Sequence, residues 1–316
     1  MAKKKDIPKI SLVVPVYNME KFLEDTLDSI RNQTFKDFEL IIVENGSTDS
    51  SLKILKEYSK KDKRFILKIR KDPDAVGSAN EGLKFARGKY ICKIDADDIY
   101  LPNKLKVQYE YLEKHPKIFL VGSSAEIIGE GGEKIGVFKK FNNPKKIRKK
   151  LMKSNPFIHS SIMYYNLKEL FYREKFIISE DYDLYLRLLT EKKIMTNLPD
   201  ILMKYRIRRG SLMATRPNQR AFFDKAKEFY LQRKKYGKED YENFNPFSWK
   251  KEKQDFRKLY LGARILAKFQ DNQMENVRRE IKDYFKIYGL NKHYAIYYIL
   301  SFFPKSFIKF LREKIF

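Results

Sequence analysis

The chain of 316 residues has only one cysteine, Cys92, and only three histidines. A lone cysteine excludes an intramolecular disulfide and a zinc site built from several cysteines, and it is typical of a reducing compartment.

Long apolar runs are also missing. The longest one late in the chain, residues 294–303, ends at Pro304, well short of the ~20 residues that a membrane-spanning helix needs. We therefore expect a cytoplasmic protein, either soluble or bound to the inner face of the cell membrane.

Acidic residues are scarce relative to basic ones, with 41 Asp and Glu against 67 Lys and Arg and a net charge of +26. The excess is uneven, because residues 1–115 contain 23 basic and 19 acidic residues, whereas residues 116–316 contain 44 and 22. The first part is nearly neutral. The second part is expected to be attracted to phosphates, nucleic acid or an anionic membrane surface.

Short β-rich runs alternate with amphipathic helical patterns over the first 121 residues. The patterns predict strands at residues 10–16, 38–44, 64–69, 90–94 and 119–121. They predict helices at about 20–32, around 52–58, at 78–88 and at 102–115, and the third of these helices would begin with a capping box at 78–81. This alternation is typical of parallel βαβ units. The predicted fold is a Rossmann-like α/β sheet, mostly parallel, with helices on both faces. Further along, we predict a strand at 157–165, a helix at 178–189 and a basic, mostly helical region at 214–316.

Three polar clusters follow predicted strands, at residues 15–18, 44–49 and 95–98. Because open parallel sheets bind ligands outside the carboxyl ends of their strands, we expect the clusters to converge on one crevice. The third cluster contains Asp95, Asp97 and Asp98. Carboxylates this close repel each other unless a cation lies among them, and oxygen ligands suit Mg²⁺ or Mn²⁺ held together with substrate phosphates. A solvated acidic turn before the next helix is the alternative.

These clusters belong to a longer series of motifs, at residues 15–18, 39–49, 77–82, 88–91, 95–98, 155–161, 179–184 and 205–208. In this order and spacing the series resembles the inverting family 2 glycosyltransferases of GT-A fold, over about residues 8–212. The resemblance implies a metal-dependent transfer of a sugar from a nucleoside-diphosphate sugar, with a UDP-sugar as the expected donor, to a hydroxyl of a glycan or lipid-linked acceptor. It implies a GT-A domain at 1–213, with a nucleotide-sugar half at about 8–121 and an acceptor half at about 122–213.

The resemblance also implies roles for individual residues. Those expected to bind the nucleotide sugar are Pro15, Tyr17, Glu44, Asn45, Asp49, Gly77, Asp95, Asp97, Arg206 and Arg208. Asp97 would bind the Mn²⁺ or Mg²⁺ that bridges the diphosphate, with Asp95 and Asp98 placing the ion or the donor sugar. Alternatives stay open. The structural alternatives are that Tyr17 closes the core at a strand end, that Asp49 caps the next helix, and that the two arginines lie in a solvated basic loop.

An inverting transfer needs a base that takes a proton from the acceptor hydroxyl as it attacks. By resemblance this base is Asp181, with Glu180 beside it in the same motif, and Asp183 is the competing choice. Acids that stabilise a helix N-terminus are the structural alternative. His159 matches a family position near the acceptor, although a lone histidine is often structural.

Three departures from the family pattern affect these expectations. The family often has two aspartates where this chain has Glu44 and Asn45, which weakens the choice of uridine over other nucleotides. It often has an Arg-x-His segment where this chain has Arg206 and Arg208, which still supplies a cation for phosphate. Lys93 stands in the middle of a strand that should be buried, and the sequence does not explain it.

The end of the chain combines apolar and basic residues. Residues 294–303 are apolar, and Phe307, Ile308, Phe310 and Leu311 alternate with Lys305, Lys309, Arg312 and Lys314. This pattern is typical of an interfacial helix on an anionic membrane. A terminal helix packed on the protein's own core is the alternative.

Two other classes of function remain. The charge alone suggests a nucleic-acid-binding protein, but a reader motif is not apparent, so we expect no nucleic-acid partner. The carboxylates alone suggest a metal-dependent phosphatase or nucleotidyltransferase, but a nucleophile and a phosphate-cradling glycine loop are not apparent.

Overall fold

The computed structural model describes residues 7–70, 74–140, 142–208, 218–249, 255–304 and 306–308. The chain divides into two compact units. The first unit comprises Met1–Ser124, Lys140–Lys204 and Asn218–Glu252, and the second comprises Ala125–Lys139, Tyr205–Pro217 and Lys253–Phe316. The predicted domain boundary at residues 213 and 214 lies outside the described residues, as do Lys305, Lys309, Phe310, Leu311, Arg312 and Lys314.

The described residues contain nine strands: β1 (Ile10–Val16), β2 (Phe38–Glu44), β3 (Phe65–Ile69), β4 (Tyr90–Lys93), β5 (Ile99–Tyr100), β6 (Ile118–Ile128), β7 (Lys134–Phe138), β8 (Met163–Tyr165) and β9 (Ile194–Arg206). Their α-helices are α1 (Leu23–Arg31), α2 (Ser51–Lys61), α3 (Ala75–Phe85), α4 (Lys104–Lys114), α5 (Pro144–Leu151), α6 (Glu180–Thr190), α7 (Gln219–Tyr236), α8 (Phe256–Gln270), α9 (Met274–Tyr288) and α10 (Lys292–Leu300). Short 3₁₀ helices span His159–Ser161 and Pro246–Ser248.

The sheet of the first unit has the strand order β3-β2-β1-β4-β8-β6-β9-β5. β1 lies between β2 and β4, and β2 continues to β3, in three parallel pairings. β8 then joins β4 and β6 in antiparallel orientation. The parallel part is the arrangement predicted for the first 121 residues, whereas the antiparallel part was not predicted. The carboxyl ends of β1, β2 and β4 consequently meet at one edge, where the three polar clusters follow them.

β1, β2 and β4 are buried along nearly their whole length, which explains their mostly apolar sequence, whereas only Phe65 is buried in the edge strand β3. β1 and β2 begin and end at the predicted residues. Helix α1 places Leu23, Leu27 and Ile30 in the core, as the spacing indicates for an amphipathic helix.

Three predicted elements differ clearly from the structure. The strand predicted at 119–121 extends over all of β6 and pairs antiparallel with β8. The capping box at residues 78–81 was wrong, because α3 begins at Ala75 and the Asp74 carboxylate accepts hydrogen bonds from the N–H groups of Val76 and Gly77. An aspartate N-cap satisfies these first N–H groups, so the helix starts one turn earlier. The strand predicted at 157–165 is reduced to β8, because the 3₁₀ helix His159–Ser161 interrupts it.

The second unit has its own small core. Ile265, Phe269, Val277, Ile281 and Tyr284 are buried in it, together with Tyr297 and Ile308. In this unit β7 pairs with the last residues of β6. A Cβ atom on Gly136 in β7 would lie 2.5 Å from the backbone carbon of Ala267, so glycine permits α8 to approach the strand closely. Among the described helices, none combines the length and the apolar character needed to cross a membrane.

Candidate active site

The turns that follow β1 and β2 are tied together. The backbone N–H of Asn18 donates to Ser47 Oγ at 3.1 Å, and the Asn18 side-chain oxygen accepts from the N–H of Thr48 at 2.8 Å. Asn18 has a positive φ of 51°, a conformation that asparagine tolerates better than most residues. Tyr17 is 47% exposed at this edge, and Pro15 is partly exposed in β1. Tyr17 therefore does not close the core, and its ring is accessible to a flat ligand.

The second cluster is held by internal hydrogen bonds. Glu44 is buried and its Oε1 accepts from the N–H of Ser47 at 2.5 Å. Asp49 accepts from the N–H groups of Glu20 and Ser51, at 3.1 and 2.9 Å. Burial alone would raise the pKa of Asp49, but hydrogen bonds from Ser51 and Glu20 hold that pKa below its usual value. The N-cap residue of α2 is Ser50, so Asp49 is not the N-cap of that helix. Its carboxylate accepts from the N–H of Ser51, the first residue of α2, and its lowered pKa favours the ionised form.

Asn45 and Gly77 connect this turn to α3. The Asn45 N–H donates to the carbonyl of Val16 at 2.9 Å, and its Oδ1 accepts from the N–H of Asp74 at 3.1 Å. A Cβ atom on Gly77 would lie 2.2 Å from Asp74 Oδ2 and 2.6 Å from the Arg70 guanidinium. Asn45 therefore orients the N-cap of α3, and Gly77 leaves room for the side chains of that cap.

The acidic cluster after β4 contains three carboxylates in different environments. Asp95 Oδ1 accepts from Lys93 Nζ at 2.6 Å, and the same ammonium donates to the carbonyl of Ile94 at 2.7 Å. Asp98 is buried and accepts from Ser160 Oγ at 2.6 Å. Asp95 and Asp97 remain partly exposed. Lys93 is therefore the counter-ion of the cluster, which explains a lysine in a buried strand.

Asp181 lies in the first turn of α6, within electrostatic reach of this cluster. Its Oδ2 accepts from Asn155 Nδ2 at 2.6 Å, and its Oδ1 accepts from the N–H of Tyr182 at 2.7 Å. Burial, and then the negative charge of Glu180, raises the pKa of Asp181 to about 7, and the charge of Asp95 acts in the same direction. The two hydrogen bonds oppose this rise. The site thus contains a carboxyl group that exchanges a proton near neutral pH.

Asp183, the competing candidate for the base, has a different environment. It is fully buried, and its carboxylate accepts from the guanidinium groups of Arg173 and Arg187. Arg173 also pairs with Glu239 at 2.7 Å. Asp183 therefore connects α6 to the segment after α7 within the first unit, and its oxygens are enclosed by two cations.

His159 lies in the 3₁₀ helix between two tyrosines. Its Nδ1 is 2.8 Å from the Tyr185 hydroxyl and its Nε2 is 3.0 Å from the Tyr172 hydroxyl. Burial, and then the positive charge of Lys93, lowers the pKa of His159 to about 3. The imidazole is therefore neutral at physiological pH, with both ring nitrogens engaged. Its predicted contact with an acceptor stays a prediction.

The two predicted phosphate-binding arginines belong to the second unit. Arg206 is buried and donates to the carbonyls of Glu130 and Gly129, at 3.0 and 3.4 Å. Arg208 is partly exposed just after β9. The contacts of Arg206 support the turn between β6 and β7, and a role of either arginine toward the donor stays a prediction.

Several residues of the site were not assigned from the sequence. Asn155 orients Asp181, and Ser160 donates a hydrogen bond to Asp98. Tyr185 and Tyr172 contact the two ring nitrogens of His159. Asn155 and Ser160 lie in the motif at 155–161, so the motif itself was the signal for them. The tyrosines carried no such signal, because buried tyrosines are ordinary core residues.

The acidic cluster after β4 is the candidate site for Mn²⁺ or Mg²⁺. Within the described part of the chain, no group of three or more His, Cys, Asp or Glu side chains is arranged to hold a metal ion. Asp98 is turned to Ser160 and Asp95 to Lys93. Magnesium is often bound by one or two carboxylates together with substrate phosphates. The residues therefore fit an ion that a diphosphate helps to hold, with Asp97 and Asp95 at the crevice, rather than one held by protein alone.

The chain belongs to glycosyl transferase family 2, because the model of that family matches residues 11–171. An uncharacterised glycosyltransferase of Methanocaldococcus jannaschii is 40% identical over 211 residues, which cover 64% of this chain and 72% of that protein. The O-antigen biosynthesis glycosyltransferase WbnJ of Escherichia coli is 36% identical over 211 residues, covering 64% and 81%. The protein is therefore a glycosyltransferase rather than a phosphatase or a nucleotidyltransferase. That it binds no nucleic acid stays a prediction.

Solved structures share the fold. S. aureus TarS 1-349 in complex with UDP-GlcNAc has a TM-score of 0.57 and 17% identity, with 95% of this chain and 92% of that chain covered. The mannosyltransferase PcManGT from Pyrobaculum calidifontis in complex with GDP-Man and Mn²⁺ has a TM-score of 0.52 and 14% identity, with 94% and 85% covered. The predicted GT-A fold with a C-terminal helical region is confirmed.

Proposed function

We propose that this glycosyltransferase moves a sugar, with inversion, from a nucleoside-diphosphate sugar to a hydroxyl of a glycan or lipid-linked acceptor, with Asp181 as the general base. One observation carries this proposal: a carboxyl group with a pKa of about 7 lies within electrostatic reach of the acidic cluster after β4. A base is most effective when its pKa is close to the working pH. Asp181 meets this condition at the edge of the sheet where ligands bind.

The environments of the two aspartates support this choice. Asp183 is enclosed by two guanidinium groups, so a substrate hydroxyl has no approach to its oxygens. Asp181 is partly exposed, and Asn155 holds its carboxylate in one orientation. In an inverting transfer Asp181 accepts the proton of the acceptor hydroxyl while the hydroxyl oxygen attacks the anomeric carbon. The bond to the diphosphate breaks on the opposite side, so a covalent sugar–enzyme intermediate is not needed.

The donor site is proposed at the ends of β1, β2 and β4. The exposed ring of Tyr17 is suited to stacking on the nucleotide base, beside the partly exposed Pro15. Glu44, Asn45 and Asp49 hold the turn next to it through the hydrogen bonds described above. The UDP-GlcNAc in the TarS complex supports a UDP-sugar as the donor.

We also propose that the donor binds together with Mn²⁺ or Mg²⁺, which the presence of Mn²⁺ with GDP-Man in the mannosyltransferase PcManGT supports. Asp97 and Asp95 would hold the ion together with the diphosphate, and Asp98 would fix the loop through Ser160. When bound, the ion neutralises the negative charge that develops on the departing nucleoside diphosphate. Lys93 orients the Asp95 carboxylate whether or not the ion is present.

The proposed setting is polysaccharide assembly at the inner face of the cell membrane. The Escherichia coli relative is named for O-antigen biosynthesis, and an Erwinia amylovora relative, 30% identical over 212 residues with 65% of this chain and 78% of that protein covered, is named for amylovoran biosynthesis. The positive charge of the C-terminal part supports contact with anionic lipid, where a lipid-linked acceptor would be found.

The test combines a donor screen with one substitution. UDP-, GDP- and dTDP-sugars are incubated with and without Mn²⁺, and release of the nucleoside diphosphate is measured. With the active donor, Asp181→Asn should lower the transfer rate about 100- to 10,000-fold, the usual contribution of a general base, while calorimetry shows unchanged donor affinity. Asp224→Asn, an exposed change on α7, is the control. Wild-type turnover by Asp181→Asn would overturn the assignment, and a product that retains the donor's anomeric configuration would overturn inversion.

A further inference from the structure

The second unit exposes large apolar side chains around the end of α10. Six of them are each at least 41% exposed: Leu290, Ile296, Ile299, Phe302, Phe303 and Phe307. By contrast, Tyr297 and Ile308 from the same segment are buried in the core of the unit. One side of this segment thus packs on the unit, which accounts for the stability of α10. The other side carries apolar groups that contribute nothing to that core.

Five of these side chains, all except Leu290, lie on α10 or just after it. Ile296 and Ile299 are one helical turn apart on α10 and therefore share a face. In the turn that follows, the rings of Phe303 and Phe307 stack with centroids 5.0 Å apart, and the Phe302 ring lies 5.3 Å from that of Tyr298. Contiguous apolar patches on a protein surface mark sites of contact with another protein or a membrane.

The turn is fixed in place by a cation. Arg278 of α9 donates to the carbonyl of Ser301 at 2.7 Å, and its guanidinium carbon lies 4.8 Å from the centroid of the Phe302 ring. These contacts hold the phenylalanines in a defined arrangement on the unit. They also place a positive charge at the border of the patch.

The sequence around the patch contains no acidic residue. Between Asp283 and Glu313 the basic residues are Lys286, Lys292, Lys305, Lys309 and Arg312. A segment that combines several phenylalanines with basic and no acidic residues complements a layer of anionic headgroups above an acyl interior. A protein partner of ordinary composition would present charges of both signs.

We propose that Ile296, Ile299, Phe302, Phe303 and Phe307 form a docking face for an anionic lipid bilayer. The phenylalanines enter the boundary between headgroups and acyl chains, and Arg278 at the border of the patch contacts the headgroups. This inference deepens the proposed membrane contact by naming the face that makes it. It involves only the second unit, so it does not depend on Asp181 as the base.

The experiment measures binding of the full chain to vesicles by co-sedimentation. Wild-type protein should bind vesicles of phosphatidylcholine with 30% phosphatidylglycerol, should bind pure phosphatidylcholine vesicles at least tenfold more weakly, and should be released by 0.5 M salt. The triple change Phe302→Ser, Phe303→Ser and Phe307→Ser should lower binding to the anionic vesicles at least tenfold. Phe247→Ser, which alters a phenylalanine 77% exposed in the first unit, is the matched control and should bind normally.

Two further measurements distinguish a loss of membrane docking from a loss of folding and from a loss of catalysis. Circular dichroism should show the same secondary structure for the triple variant and the wild type, because Tyr297 and Ile308, which pack in the core of the unit, are unchanged. Donor hydrolysis without vesicles should also be the same, so a failure of the proposed catalytic function does not imitate a failure of docking. Equal vesicle binding by the triple variant and the wild type would overturn the proposal. A second result would also overturn it: wild-type protein that binds no vesicles but forms a dimer in analytical ultracentrifugation, with the triple variant a monomer.

Discussion

The side-chain nitrogen of Asn155 donates a hydrogen bond of 2.6 Å to Oδ2 of Asp181. The orientation of this amide is defined, because Asn155 Oδ1 accepts from the N–H of Phe157 at 3.0 Å. A donor aimed at a carboxylate favours its ionised form, whereas burial and neighbouring acids favour the protonated form. The pKa of about 7 for Asp181 is the result of these opposing influences.

Asn155→Ala should move the acid limb of the pH profile to higher pH. The substitution removes a hydrogen bond to the ionised carboxylate, so the pKa of Asp181 rises. A hydrogen bond to a charged group contributes about 1.5–3 kcal/mol, so we expect a shift of about one pH unit or more. The measurement is kcat/KM against pH with saturating metal ion, where the wild type should lose activity as the pH falls through about 7.

Glu180→Gln is the matched comparison for that experiment. It removes a neighbouring negative charge that raises the pKa of Asp181, so the acid limb should move to lower pH. The charge of Asp95, which also raises that pKa, is the same in both variants. Shifts in the same direction for the two variants would show that Asp181 does not set the profile.

Asp183→Asn should destabilise the protein strongly. The change leaves Arg173 and Arg187 without the buried carboxylate that both now contact. Breaking one partner of a buried ion pair typically costs about 3–5 kcal/mol. The free energy of unfolding is measured in urea, with Asp224→Asn as the control, because its pair with Arg220 is exposed and should cost less than about 1 kcal/mol. A similar loss for both variants would contradict a structural role for Asp183.

Lys93→Met should weaken donor binding. Methionine fills a similar volume but cannot donate to Asp95 Oδ1 or to the carbonyl of Ile94. The hydrogen bond to the charged group contributes about 1.5–3 kcal/mol. Because it is already made before the donor binds, only part of this energy affects binding, and we expect a roughly 10-fold lower affinity. Calorimetric titration with the active nucleotide sugar and Mn²⁺ measures the effect. Lys93→Arg keeps the positive charge and should recover part of the affinity, and unchanged affinity in Lys93→Met would refute the positioning role.

Local patterns predicted the elements that are buried on both faces. β1 and β2 follow from nearly continuous apolar runs, because parallel strands covered by helices on both faces bury most of their side chains. The start of α3 was misplaced, because Asp74 and the serine further along are both good caps and the local sequence does not show which one is used. The predicted strand at 157–165 failed at His159, whose ring is held by tyrosines from other segments.

The sequence by itself determined the α/β class, the series of motifs and the three polar clusters at strand ends, because these depend on periodicity and on short-range order along the chain. Only the tertiary structure decided the chemical state of the site. The pKa of Asp181 depends on Asn155 and Asp95, and the enclosure of Asp183 depends on Arg173. These residues are distant in sequence or on separate elements. A carboxylate's proton affinity is set by burial and by charges in space, so no local pattern could distinguish Asp181 from Asp183.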